Sequence, residues 1–158
     1  MTEITIREYG ESDYSGTLAA AASLPDWFDK DAIERAIPVD LKHQKVFFAE
    51  SGGNICGFIS LFIAEGRLNI GWLGVVPEMH RKGIGKMLLS IAEEFGIGNN
   101  LEEIATYTLG NNVDYAPYES TREFYRRNGF RIYQRSQTDN ESCPEEIKIK
   151  KGIKVIKK

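Results

Sequence analysis

A strand, a sharp break and a helix follow one another between Ile70 and Phe95, and this unit constrains the fold of the 158-residue chain most strongly. The apolar run that begins at Ile70 ends at Pro77, which cannot continue a hydrogen-bonded ladder. Residues 80–86 then form a basic, glycine-containing loop, and apolar residues at helical spacing follow it. Because the first N–H groups of such a helix point at one spot, the unit predicts an anion-binding loop.

Two common nucleotide-binding loops do not fit this segment. A dinucleotide-binding loop needs a third glycine three positions after Gly85, where the chain has Leu88. A P-loop needs a hydroxyl residue directly after its lysine, whereas Met87 follows Lys86. The anion site is therefore of another kind.

A second motif lies further along the chain, where Phe124 and Tyr125 are followed at a fixed spacing by Gly129 and Phe130. The segment from Ser120 is typical of a short helix that Asn128 and Gly129 end, with Phe130 starting a strand. Residues 110–119 before it are expected to form a long connecting loop.

Together, the two motifs resemble those of the GNAT N-acetyltransferase superfamily. The acetyl-coenzyme A loop of that superfamily has Gln or Arg, two residues, Gly, one residue and then Gly or Ala, and His80 stands here at the Gln or Arg position. Its C-terminal motif has Phe-Tyr, three residues and Gly-Phe, as this chain does. The resemblance covers roughly residues 2–150.

The remaining segments predict an α+β fold. Helices are expected from a cap at Ser12 or Asp13 to Ala22 and from Asp29 to Ile37, where Pro38 ends the second one. Strands are expected around residues 4–8, 45–50, 55–63, 68–76, 104–109, 130–135 and 146–150. Three meandering strands before the loop favour a mixed, mostly antiparallel sheet of six to seven strands, flanked by helices, over a doubly wound sheet.

Composition predicts one domain over residues 1–158, with 42% hydrophobic residues and a net charge of -3 that disfavours general nucleic-acid binding. The chain shows no apolar signal core and no run long enough to span a bilayer, so a cytoplasmic protein without membrane attachment is expected. Cys56 and Cys143 have neither metal-ligand nor disulfide spacing, so no metal is predicted. The lysine-rich C-terminus suggests an edge strand protected by charge, with a polyanion contact as the alternative.

The GNAT resemblance implies that acetyl-CoA is the cosubstrate and that an amine attacks it directly in a ternary complex. In the family, the strand before the loop splays from its neighbour and leaves a main-chain N–H for the acetyl carbonyl. A glycine within that strand, Gly74, is consistent with a bulge or a close backbone approach. The residues that match the family's coenzyme site are Leu73, Gly74, Val75, His80, Arg81, Lys82, Gly83, Ile84, Gly85 and Lys86.

The resemblance places Tyr125 beside the coenzyme sulfur, where a phenol can donate a proton to the leaving thiolate. Core packing is the alternative role for this aromatic residue. Trp27 and Phe28 lie in the region that covers the acceptor in the superfamily, so they either line the amine pocket or seal the lower core.

The general base stays open. Several family members have a glutamate in the splayed strand, but residues 68–72 contain no carboxylate. Glu65, Asp114, Glu119 and His80 are candidates, and each is also a typical surface residue. An asparagine that many members place before Phe-Tyr is absent, and the residues that could substitute for it are Asn111, Asn112 and Arg122.

These departures keep a second class of function open, in which the chain is a catalytically silent domain that binds acetyl-CoA. A covalent route through Cys56 is disfavoured, because its apolar neighbours predict a buried and inert thiol. The sequence does not identify the amine acceptor, and it leaves both a monomer and a homodimer open.

Overall fold

The computed structural model describes residues 3–8, 10–110, 115–139 and 145–153, and within these residues seven strands form one sheet. The strands are β1 (Ile4–Glu8), β2 (Lys45–Ser51), β3 (Asn54–Ala64), β4 (Arg67–Val75), β5 (Glu103–Leu109), β6 (Arg131–Gln137) and β7 (Glu145–Gly152). The α-helices are α1 (Tyr14–Ala22), α2 (Ile37–His43), α3 (Ile84–Gly98) and α4 (Ala116–Arg127). None of the helices in these ranges is both long and apolar enough to cross a membrane.

The strand order is β1-β2-β3-β4-β5-β7-β6, and every neighbouring pair is antiparallel except β4 and β5. This confirms the mixed, mostly antiparallel sheet. The parallel pair is short: Leu68 lies opposite Ile104 and Asn69 opposite Ala105, and no further residues of the two strands pair within the described chain. A gap therefore opens between β4 and β5 toward their C-terminal ends.

Each face of the sheet carries its own hydrophobic cluster. On one face, Leu88, Leu89 and Ala92 of α3 are fully buried, because apolar residues recur at the helical period along that helix. On the other face, Phe58 of β3 and Ile37 of α2 are completely buried between the sheet and its helices. Burying a side chain of this size contributes about 1.5–3 kcal/mol. The two clusters fix the sheet between two helical layers.

The prediction that Pro38 ends the second helix is wrong. A π-helical stretch, Ala32–Ala36, runs directly into α2, and Pro38 occupies the first turn of that helix. The N–H of Ile37 bonds to the carbonyl of Ala32, five residues back. Because a widened turn changes the backbone register just before the proline, the missing N–H does not stop the helix.

The prediction that the lysine-rich segment is an edge strand is also wrong. Strand β7 lies between β5 and β6, so β6 forms the edge. The ammonium groups of Lys150 and Lys151 each lie 3.0 Å from a carboxylate, of Glu103 and Glu93 respectively. Alternation of isoleucine with lysine reports a strand with two different faces, and it carries no information about which strands lie beside it.

The helix of the second motif begins earlier than expected. Helix α4 starts at Ala116, so residues 116–119, expected in a loop, form its first turn. Pro117 lies in that turn, where proline favours helix entry because its missing N–H has no partner to lose. The connection from β5 is correspondingly shorter.

Candidate functional site

A cavity of about 310 Å³ occupies the gap between β4 and β5. Thr106 and Thr108 line it from one face of β5, and Tyr107, whose side chain points to the other face, lines it as well. On β4, Trp72 and Leu73 likewise line the cavity from opposite faces. The cavity therefore passes through the sheet and connects its two sides.

The open edge of β4 presents unpaired backbone groups to this cavity. Trp72 and Val76 donate their N–H groups toward β3, at 2.8 and 2.9 Å. Since successive residues of a strand direct their backbone groups to opposite edges, the N–H groups of Leu73 and Val75 point into the gap. Among the described residues neither donor has a strand partner, and Leu73 is the one of the two that lines the cavity.

The bulge expected at Gly74 lies instead at Gly71, where the register between β3 and β4 shifts. A side chain at Gly71 would come within 2.2 Å of the Gln44 amide oxygen. Gly74 pairs regularly with Phe58, and a side chain there would come within 3.0 Å of Leu24 and Phe58. The close approach at Gly74 is therefore made by side chains that cover the strand.

The loop after β4 shapes the start of α3 as an anion site. Gly83 precedes the helix with a φ of 79°, in the left-handed region that glycine adopts without strain. The N–H of Met87 bonds to the Gly83 carbonyl at 3.0 Å. The N–H groups of the three residues between them have no acceptor within the helix, because the first turn of a helix lacks one. They converge where a phosphate would fit.

Exposed cations surround this helix start, and His80 anchors the loop. Arg81, Lys82 and Lys86 are exposed, and none forms an ion pair with the described residues. His80 Nε2 donates to the Val75 carbonyl at 2.6 Å, and its ring meets the Trp27 ring edge-on at 5.5 Å. The loop is thereby tied to the end of β4 and to the connection between α1 and α2.

The two sequence motifs meet in space. A side chain at Gly85 would come within 3.1 Å of the Phe124 ring, so the missing Cβ allows α4 to lie against the start of α3. The Tyr125 ring packs against Phe124 and Phe130 at centroid distances of 5.3 and 5.0 Å. The start of α3 and the second motif, which are distant in the sequence, therefore pack against each other.

Tyr125 lines the cavity and is only 6% exposed. Its hydroxyl is hydrogen-bonded to Thr106, whose own hydroxyl donates to the Ile70 carbonyl at 3.2 Å across the gap. Burial raises the pKa of Tyr125 above its ordinary value, although the hydrogen bond to Thr106 acts in the opposite direction. The phenol is therefore protonated at neutral pH.

The connection between α1 and α2 is fastened to the start of α4. Trp27 Nε1 donates to the Pro117 carbonyl at 3.0 Å, and the Tyr118 hydroxyl donates to the Trp27 carbonyl at 2.6 Å. The Tyr115 hydroxyl donates to the Asp26 carbonyl at 2.7 Å. These bonds hold Trp27 over the cavity from the side opposite β4.

Phe28 belongs both to the cavity wall and to the core. It is 8% exposed, meets the Trp72 ring edge-on at 5.5 Å and lines the cavity together with Trp27. Phe28 therefore takes part in the core and in the cavity wall at once, and its role in binding an amine stays a prediction.

The family sequence model of the acetyltransferase (GNAT) domain matches residues 42–132, which is more than half of the chain. The chain belongs to the GNAT family. The match includes the splayed strand, the anion loop and both motifs. No curated protein matches the chain.

Solved structures share the GNAT fold over almost the whole chain. A protein assigned to the GNAT acetyltransferases from Desulfovibrio desulfuricans has a TM-score of 0.82 at 18% identity, covering 96% of this chain and 100% of its own. The PaiA N-acetyltransferase from Thermoplasma acidophilum, in complex with coenzyme A, has a TM-score of 0.71 at 22% identity, with 95% and 99% covered. A GNAT acetyltransferase from Elizabethkingia anophelis with acetyl-CoA bound has 0.71 at 19%, with 94% and 97% covered.

Two carboxylates that the sequence patterns did not single out line the cavity of this GNAT protein, Asp29 and Asp31. Asp29 Oδ1 accepts the N–H of Ala32 at 2.8 Å. Asp31 binds Arg35 through both oxygens, at 2.8 and 2.7 Å, and these hydrogen bonds lower the pKa of its carboxyl. Acidic residues are common at the start of a helix because they cap it, so Asp29 and Asp31 do not stand out in the sequence as candidates for a functional site.

The candidates for a base lie elsewhere. Glu65 lies in the turn before β4, at the closed end of the gap, 3.4 Å from the Arg67 guanidinium. Glu119 faces a groove between α4 and strands β6 and β7, and His80 is bound to Val75. None of these three lines the cavity, and Asp114 lies outside the described residues.

The other residues considered for chemistry or coenzyme contacts are accounted for as follows. Cys56 is 4% exposed and does not line the cavity, and burial raises the pKa of its thiol, as expected for an inert cysteine. Arg122 donates to the Gly110 carbonyl at 3.1 Å, at the end of β5. Asn111 and Asn112 lie outside the described residues.

Proposed function

We propose that this GNAT protein is an acetyl-CoA-dependent N-acetyltransferase in which an amine attacks the thioester directly in a ternary complex. The observation that carries the proposal is the cavity in the gap between β4 and β5, which has the protonated Tyr125 hydroxyl on its wall. The anion-binding start of α3 follows the same strand β4 in the chain. GNAT proteins of the same fold hold coenzyme A or acetyl-CoA, which supports the choice of cosubstrate.

The donor binds along β4. The pyrophosphate accepts hydrogen bonds from the N–H groups of Ile84, Gly85 and Lys86, and the exposed cations of the loop neutralise phosphate charge. The pantetheine arm runs into the gap beside the open edge of β4. There the N–H of Leu73 or Val75 donates to the acetyl carbonyl, whose oxygen becomes negative as the amine attacks.

During transfer, the nitrogen forms a bond to the acetyl carbon, the carbon–sulfur bond breaks and the electron pair leaves with sulfur. A thiol of ordinary pKa, about 8.5, is a stronger acid than a buried phenol, so full proton transfer from Tyr125 to the thiolate is uphill. Tyr125 therefore stabilises the departing sulfur chiefly by hydrogen-bond donation. After the attack the nitrogen loses a proton, the departing thiolate takes up one from water, and the acetyl group ends on nitrogen as an amide.

The amine must lose a proton before it can attack. An alkylammonium has a pKa of about 10.4, so only a small fraction is neutral at pH 7. Because β4 supplies no carboxylate near the reacting atoms, the amine releases this proton to water at the open end of the cavity. The rate then depends on the fraction of neutral amine.

A catalytically silent acetyl-CoA-binding domain is the second candidate, favoured by the absence of a carboxylate from residues 68–72. Two measurements separate the candidates: calorimetric titration with acetyl-CoA, and thiol release over a panel of amines. If the protein is an acetyltransferase, we expect it to bind acetyl-CoA with micromolar affinity and to release thiol only when an amine is present. Binding without release from any amine supports the silent domain, and no binding at millimolar acetyl-CoA rejects both.

A further inference from the structure

The hydroxyl of Thr108 has no hydrogen-bond partner within the described part of the chain, although the residue is only 6% exposed. Thr108 lines the cavity and lies on the same face of β5 as Thr106, about 7 Å further along the strand. A buried hydroxyl without a partner is unfavourable, and such groups are uncommon in folded proteins. Its position in the cavity wall points to a ligand atom that completes the bond.

The charge of the cavity wall is negative. Asp29 and Asp31 are the charged side chains that line it within the described residues, and Arg35 neutralises Asp31 through two hydrogen bonds. Asp29 is exposed and forms no ion pair with any described residue. Its Oδ1 caps the N–H of Ala32, which leaves Oδ2 for a ligand at the opening.

Aromatic rings line the same cavity. Phe28 and Trp72 form an edge-on pair, and Tyr107 is 59% exposed at the opening, an unusual exposure for a large aromatic residue. Ring faces attract ammonium groups, and they attract no carboxylate. Lysine, arginine and histidine are absent from the described lining, so an acidic ligand would find no counter-ion there.

We propose that the acceptor is a small aliphatic amine that carries a second, non-reacting cation. The proposal rests on the acetyltransferase function proposed above. Asp29 is exposed at the opening, whereas Tyr125, proposed to face the sulfur, is only 6% exposed, so the carboxylate meets the part of the acceptor that stays at the opening and binds a positive charge there. Asp29 and the ring of Tyr107 hold this second ammonium, while the Thr108 hydroxyl hydrogen-bonds a polar group deeper in the cavity.

The test compares three probes of similar length in calorimetric titrations of the protein saturated with coenzyme A at pH 7. They are 1,4-diaminobutane, 1-aminobutane and 4-aminobutanoate, which differ in the group at the far end. The proposal predicts that the diamine binds at least tenfold tighter than 1-aminobutane and that 4-aminobutanoate binds weakest. Equal affinities, or tightest binding of 4-aminobutanoate, overturn it.

A charge-neutral variant assigns the effect to one residue. Asp29→Asn keeps a side chain that caps a helix equally well, so the fold is retained. It is expected to reduce the preference for the diamine to threefold or less. Glu34→Gln is the matched control, because Glu34 is an exposed carboxylate of the same helical segment that does not line the cavity. An unchanged preference in Asp29→Asn contradicts the assignment.

Thr108→Val tests the buried hydroxyl. Because that hydroxyl makes no hydrogen bond within the described chain, its removal should leave the melting temperature unchanged or raise it. Affinity for the diamine should fall at least fivefold, affinity for coenzyme A should stay constant, and Thr108→Ser should restore binding. Unchanged diamine affinity, or a loss confined to coenzyme A, contradicts a role in acceptor binding.

Titrations without coenzyme A test the cationic site independently of the acetyltransferase function. If coenzyme A does not bind, the acetyltransferase proposal falls, and the three probes are titrated into the protein alone. A preference for the diamine there, lost in Asp29→Asn, upholds the cationic site by itself. Absence of that preference rejects the site.

Discussion

The site proposed for acetyl-CoA at the start of α3, the donor end, and the site proposed for the amine in the cavity, the acceptor end, are built from different parts of the polypeptide. At the donor end, the groups proposed to bind are backbone N–H groups of the first turn of α3, preceded by a left-handed Gly83 and surrounded by exposed cations. At the acceptor end, they are side chains from the α1–α2 connection, β4, β5 and α4, fixed by hydrogen bonds such as that from Tyr118 to Trp27. The donor end therefore depends on where the backbone lies, and the acceptor end depends on which side chains are present.

This difference sets the sensitivity of each end to substitution. Adding a Cβ at the donor end should disturb binding more than removing a charge from it, because backbone amides supply the directional bonds. At the acceptor end and at the reacting atoms, removing a single polar atom should have the larger effect, because each hydroxyl has a specific partner or ligand.

Tyr125→Phe should produce the largest effect. Loss of the hydrogen-bond donor to the departing sulfur is expected to lower kcat by about 10²- to 10³-fold, the usual cost of removing one donor to a developing charge. The dissociation constant of acetyl-CoA should change by less than threefold, since the ring contacts remain. Steady-state thiol release and calorimetry measure the two quantities. Tyr133→Phe, an exposed tyrosine of β6, serves as the control.

An equal fall in binding and turnover in Tyr125→Phe would show that this residue acts through packing alone. Wild-type turnover in the variant would exclude Tyr125 from the chemistry and would direct the search to another donor in the cavity wall.

The pH dependence should be nearly as large. Because the acceptor must be neutral and an alkylammonium has a pKa of about 10.4, kcat/KM should rise about tenfold per pH unit between pH 7 and 9. Burial raises the pKa of Tyr125 above its ordinary value, so the phenol stays protonated in this range and adds no falling limb. Initial rates in a constant-ionic-strength buffer series test this. A plateau below pH 8 would reveal a general base within the protein.

Gly85→Val should weaken acetyl-CoA binding at least tenfold and lower the melting temperature. The new Cβ would lie 3.1 Å from the Phe124 ring and push α4 away from the start of α3. Gly98→Val is the matched control, because Gly98 ends the same helix and a side chain there meets nothing within 4 Å. Equal affinities in the two variants would refute the contact between the motifs as a requirement for binding.

Lys82→Ala should have the smallest effect. An exposed cation near a phosphate contributes weakly in water, so the dissociation constant of acetyl-CoA should rise about two- to fourfold at 0.1 M salt. The loss should shrink as salt is added. Lys30→Ala, an exposed lysine near Glu34, is the control. A tenfold loss of affinity for acetyl-CoA would mean that side-chain charge contributes more to its binding than the backbone N–H groups do.

Much of the donor end could be predicted from the sequence. The break at Pro77, the glycines at 83 and 85 and the apolar period of α3 are local patterns with local consequences, and the structure forms the corresponding loop and helix. The Phe-Tyr motif likewise predicts a helix that ends at Asn128, and the structure confirms that end. The start of α4, at Ala116, lies earlier than the motif indicates.

The acceptor end could not be predicted in the same way. Asp29 caps a helix, and Thr108 alternates normally within a strand, so neither departs from a local rule. Their placement around one cavity depends on the separation of β4 from β5, which is a property of the whole sheet. The inner position of β7 escaped prediction for the same reason, because strand alternation does not encode strand order.

A cocrystal structure with coenzyme A would show where the cosubstrate binds and what borders its sulfur. We expect the pyrophosphate on the N–H groups of Ile84, Gly85 and Lys86, the pantetheine arm in the gap between β4 and β5, and the sulfur within hydrogen-bonding distance of the Tyr125 hydroxyl. Coenzyme bound in the groove between α4 and strands β6 and β7, or with its sulfur remote from Tyr125, would contradict this expectation.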